Sequence, residues 1–220
     1  MNTSISATDP TRISDPAAWV AIGAAGAALL FLAALHALSP EFDPSFRVVS
    51  EYANGSYGWV LSLMFVAWAL SSWALAIAIW SQVNGISGKL GLGFLIAAGV
   101  GEAMAAVCDI NHPLHGLAGA LGVLGLPIAA MLLSVRLGRT QAWLGAKQVL
   151  LWTANLTWAI LVLMFVALFI MVRGYTLAGN KIIFIGWANR LLVVLYCVWA
   201  VTVAIQALKL KRSSRSARVS

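Results

Sequence analysis

The chain is 220 residues long, 61% hydrophobic and only 10% charged, with a mean hydropathy of +0.91. A soluble domain of this size needs a larger polar surface, so a water-soluble globule is excluded. The net charge of +7 does not point to nucleic acid, because the Lys and Arg residues lie in short loops and the tail and not on an amphipathic face interleaved with aromatics.

Residues 1–16, with Asp9, Pro10, Arg12, Asp15 and Pro16, are too polar to bury a core and are expected to form a flexible tail. A single arginine precedes the first apolar run and Leu35 holds the third position back from a cut after Ala37, counting Ala37 as the first, so that run is expected to be a retained anchor and not a cleaved signal. Six apolar runs follow, near 17–38, 57–80, 90–108, 114–135, 148–172 and 182–208, each close to the roughly 20 residues that a spanning helix needs. The expected architecture is all-α: one six-helix membrane domain over 17–208, then a basic tail over 209–220.

Ten of the fourteen Lys and Arg fall on one side of such a bundle, namely Arg12, Lys89, Arg136, Arg139, Lys147, Lys209, Lys211, Arg212, Arg215 and Arg218. The other side keeps Arg47, Arg173, Lys181 and Arg190. The positive-inside rule then places both termini in the cytoplasm and the long polar connection, Ser39 to Ser56, outside. The tail reads as a juxtamembrane stop signal that can touch anionic lipid. Gly91, Gly93, Gly99 and Gly101 in the third run, and Gly116, Gly119, Gly122 and Gly125 in the fourth, allow close backbone packing. Pro127 should bend the fourth helix. No internal repeat points to an inverted-repeat transporter.

Cys108 and Cys197 both lie inside apolar runs, which excludes a disulfide framework or a zinc ribbon. Cys197 lies about fifteen residues into the last helix, roughly 22 Å along its axis from the end where Cys108 sits, so the two should stay unbridged, buried thiols.

All three histidines, His36, His112 and His115, fall at the same outer interface, with Glu41, Asp43, Glu51 and Asp109. Asp109, His112 and His115 are spaced three apart, and such donors can converge on a divalent transition metal where the backbone turns, with His36 or Glu51 completing four ligands. The competing explanation is an ordinary helix start, with Asn111 or His112 as cap and Pro113 in the first position. His36 and His115 could alternatively flank a haem, although they sit at the rim and not a turn inside. A quinone pocket built from the ten tryptophans is less economical than an aromatic belt, since Trp59, Trp80, Trp143 and Trp187 fall near the interfaces. Ser50 stands in no strand-turn-helix elbow, which argues against a serine hydrolase; Ser50, Glu51 and Tyr52 read as a loop folded over the helix ends. In an enzyme, a metal-activated water with Glu51 or Asp109 as base is the expected chemistry.

His36 near Ser39-Pro40, then Asp43-Pro44, Val49-Ser50-Glu51-Tyr52-Ala53 and Gly58-Trp59, and later Asp109 with His115-Gly116, together resemble the bacterial integral membrane family catalogued as domain of unknown function, number 998. The resemblance covers 17 to about 208 and is carried best by the Ser-Glu-Tyr loop leading into Gly-Trp. It implies a six-helix fold and supplies no activity.

These features lead to three functional expectations for a bacterial inner-membrane protein with a polar site between helices one, three, four and six. It is a metal-dependent hydrolase or transferase acting on lipid headgroups, a non-enzymatic lipid-binding or scaffold subunit, or a haem or quinone redox protein. Membrane lipids are the expected partners in each case, and nucleic acid is not. Glu102 and Arg190 lie at matching depths inside the membrane and are expected to form a structural ion pair, because a buried arginine usually finds a partner.

Overall fold

The computed structural model describes residues 13–173, 176–177, 180–181 and 184–216. Among them, six helices are long and apolar enough to cross a membrane: α1 (Asp15–Leu38), α2 (Gly58–Ile79), α3 (Gly85–Val107), α4 (His115–Leu137), α5 (Lys147–Arg173) and α6 (Ile185–Ser216). Helices are the expected solution for a single chain in hydrocarbon, where every backbone donor and acceptor must be satisfied within the segment. Between α5 and α6, two-residue strands β1 (Thr176–Leu177) and β2 (Asn180–Lys181) pair antiparallel.

Neighbours in sequence are neighbours in space, and α1 closes the ring against α6 while α2 also touches α6. Small residues allow the tightest of these contacts. The buried face of α1 reads Ala18, Ala21, Ala25, Ala28, Leu32 and Leu35, and Ser71 on α2 donates its hydroxyl to the Ala21 carbonyl at 2.8 Å, so the two backbones lie close. Gly101 brings α3 against α4: a Cβ there would stand 2.5 Å from the Gly122 nitrogen and 2.6 Å from the Ala118 oxygen. The sequence-level reading of the glycines holds only in part. Gly93, Gly116 and Gly119 face nothing within 4 Å, and Gly99 packs on the Trp73 indole.

The bundle has two unlike ends. The basic end carries Lys89, Arg136, Arg139, Lys147, Lys209, Lys211 and Arg212; the loop end carries residues 39–57 and the turn between α3 and α4. Residues 1–12 and 217–220 of the expected tails lie outside the described residues. Of the rest, Ile13 is buried, and Lys211 binds its carbonyl at 2.7 Å and the Asp15 carboxylate at 3.2 Å. Residues 13–16 therefore pack as part of the bundle, and α6 runs beyond 208 to Ser216.

Around Pro127 the structure shows a widened π turn, Ala120–Leu124, within α4. Proline has no N–H to offer the carbonyl four residues earlier, which is that of Val123. Tyr196 on α6 supplies the missing donor, its hydroxyl binding the Val123 oxygen at 2.7 Å. Trp59, Trp80 and Trp187 are exposed, as a belt requires, but Trp143 is fully buried and belongs to the core.

Candidate functional site

At the loop end, residues Val49–Asn54 form a 3-10 turn that lies over the helix ends, with Tyr52 fully buried. Beneath it is a cavity of about 100 Å³ lined by side chains of α2, α3, α4 and α6, among them Phe65, Trp68, Glu102, His115 and Asn189, with Ser50 contributed by the turn. Helix α1 takes no part in lining it. Glu102 is 3% exposed. Its Oε2 accepts the Ser72 hydroxyl at 2.8 Å, while Oε1 has no partner among the described residues. The glycine and π-turn segment of α4 makes room for it: a Cβ on Gly122 would come within 3.7 Å of the Glu102 Cγ. Such π turns frequently occur at functional sites.

On α2, which also supplies Ser72, the Phe65 and Trp68 rings stack, their centroids 6.3 Å apart at an interplanar angle of 10°. At the start of α4, the His115 Nδ1 lies 2.9 Å from the Cys108 carbonyl. A carbonyl only accepts, so Nδ1 carries the proton, and a neutral ring keeps Nε2 as an acceptor. Asn189 is already engaged, accepting the Val49 N–H at 2.8 Å. Around the cavity, Glu102 Oε1 lacks a partner among the described residues and His115 Nε2 is open to accept.

A second polar centre lies on the other side of α6. Arg190, 3% exposed, donates Nε to His36 Nε2 at 2.8 Å, Nη1 to the carbonyls of Arg47 at 2.6 Å and Gly186 at 3.0 Å, and Nη2 to the Tyr52 hydroxyl at 2.8 Å. Because Arg190 donates to Nε2, His36 holds its proton on Nδ1, which faces the Leu32 carbonyl at 2.7 Å. This one side chain joins α1, α6 and the first loop.

The expected Glu102–Arg190 pair does not form. Depth along the helices matches, but Arg190 turns toward α1 and the loop while Glu102 turns toward α2. Neighbouring residues of a helix point about 100° apart, so Asn189, Leu192 and Val193 line the cavity while Trp187, Arg190, Leu191 and Val194 line a groove behind it.

Nor do the expected metal ligands assemble. Among the described residues no three His, Cys, Asp or Glu side chains group as a metal site. His36 spends both nitrogens on Arg190 and Leu32, and Asp109 Oδ1 accepts the Asn111 N–H at 2.9 Å. His112 Nδ1 accepts the Leu114 N–H at 3.1 Å, and of the proposed set only His115 reaches the cavity. Pro113 and His112 precede the helix instead of capping it, since α4 starts at His115 without a side-chain cap. Glu51 is paired with Arg47 at 3.0 Å and does not line the cavity. Cys108 and Cys197 are both buried and unbridged.

Ser72, Trp68, Asn189 and Tyr196 were not singled out in the sequence. Two signals for them existed: hydroxyl and amide residues inside otherwise apolar spans, and the donor vacancy that Pro127 creates at Val123.

Fold and site define a multi-pass helical membrane protein with a largely apolar cavity in the bundle that Glu102, His115, Ser50 and Asn189 line. The chain belongs to the family described as Protein of unknown function (DUF998), whose model matches residues 21–206. Neither a curated protein nor a solved structure matches it.

Proposed function

We propose that the protein is a non-catalytic binding protein of the bacterial inner membrane, with both termini cytoplasmic and the loop end outward, and that its cavity takes the amino group of a small amphipathic amine. One observation carries this reading: the 3% exposed Glu102 lines the cavity with an unpartnered oxygen and no cation paired to it among the described residues. A ligand that donates would bond Glu102 Oε1 and could bond His115 Nε2 as a second acceptor. The Phe65 and Trp68 rings in the same lining favour an ammonium over a neutral hydroxyl, since ring faces attract cations. The hydrolase and redox readings draw on His36, His112, His115 and Asp109, whose polar atoms are mostly committed to local hydrogen bonds. The distribution of Lys and Arg supports the orientation.

Thermal melts of the purified protein with octylamine, octanol or octanoate test the proposal. Octylamine should raise the midpoint most and octanoate least, and Glu102→Gln should remove the difference. Equal effects of octylamine and octanoate on the wild type would sink it.

A further inference from the structure

Behind α6, the groove between α1 and α6 has a volume of about 440 Å³ and is lined by Leu29, Leu32, Ala33 and His36 with Trp187, Arg190, Leu191 and Val194. Its rims are open: Trp187 is 48% and Leu191 46% exposed. Because these residues lie within spanning helices, the groove opens sideways into lipid.

Its polar end is unusual. All four hydrogen bonds of Arg190 go to neutral acceptors, an imidazole, a phenol and two carbonyls. Six of the seven acidic residues are described, and the two described ion pairs use Glu51 and Asp15 with other bases. The guanidinium is therefore taken out of water without a counter-charge, which is costly inside a membrane. A guanidinium has five N–H groups and four are used. The rest of the lining is apolar, and Leu29 to His36 spans about 10 Å along α1.

We infer that this groove is a binding site for one anionic phospholipid of the surrounding bilayer, its phosphate at Arg190 and the upper part of an acyl chain along Leu29, Leu32, Ala33 and Val194. A phosphate oxygen takes the remaining guanidinium N–H and supplies the missing charge. The bilayer is the source because the groove opens laterally at the depth of the helix ends.

Native mass spectrometry of detergent-purified protein with phosphatidylglycerol or phosphatidylcholine tests the assignment. Wild type should retain phosphatidylglycerol about fivefold more than phosphatidylcholine, and inorganic phosphate should not displace it. Arg190 also holds the loop, so its substitution risks the fold. Ala33→Trp instead fills the groove without removing any partner of Arg190 and should weaken retention about tenfold. Glu102→Gln, on the far side of α6, should retain the lipid, which separates this site from the amine cavity. Equal retention of the two lipids, displacement by phosphate, undiminished binding in Ala33→Trp, or loss in Glu102→Gln would each overturn the inference.

Discussion

Glu102 and Arg190 are equally buried and of opposite charge, yet the fold keeps them apart and treats them differently. Arg190 is nearly saturated, four of its five N–H groups being bonded: loop, α1 and α6 converge on its guanidinium, and the groove beside it is apolar and open. Glu102 is half-satisfied, with one oxygen on Ser72 and the other at an internal cavity. Buried polar groups in native proteins are nearly always bonded, so a saturated side chain reads as architecture and a half-satisfied one as a place held for something else. By that contrast the cavity carries the proposed function, while the arginine offers the bilayer its net charge and its one N–H left unbonded among the described residues.

The contrast can be broken most severely at the cavity wall. Gly101→Leu forces a side chain into the α4 backbone at Gly122 and Ala118 and should cost about 3 kcal/mol or more, seen as loss of monodisperse protein in size-exclusion chromatography. At the Arg190 centre, Tyr52→Phe strips an acceptor from a buried guanidinium and should destabilise by about 2 kcal/mol in denaturation, leaving octylamine binding intact. Tyr196→Phe leaves the Val123 carbonyl beside Pro127 without its donor and should cost about 1 kcal/mol, read as a lower melting midpoint with unchanged lipid retention. The smallest expected effect is a null one. In a double-mutant cycle, Glu102→Gln and Arg190→Gln should add within about 0.5 kcal/mol, whereas a coupling well above that would mean the two charges sense each other across α6.

How much of this was legible in the sequence depends on which coordinate is asked for. Position along the membrane normal is written in the hydropathy, so six spans, their order and the common depth of Glu102 and Arg190 could all be read. Rotation about each helix axis is not written there. The hydrophobic pattern that would report it is blurred when lipid and protein interior are both apolar, and so Asn189 and Arg190, adjacent in sequence, could not be assigned to opposite compartments. The histidines misled for a related reason: their shared depth is real, but His36 faces Arg190, His112 closes its own turn, and His115 alone reaches the cavity. Pro127 was legible as a disturbance of α4, while the remedy, a tyrosine hydroxyl from a helix some seventy residues later, needed the packing. Gly101 and Gly119 look alike in the sequence, yet one makes a helix contact and the other borders open space.

Isothermal titration of octylamine into wild type, Glu102→Gln and Ala33→Trp, in the same detergent and with octanoate as control, tests the account most directly. Saturable binding of octylamine but not octanoate to wild type and Ala33→Trp, lost in Glu102→Gln, is the predicted result. Undiminished octylamine binding in Glu102→Gln would contradict it.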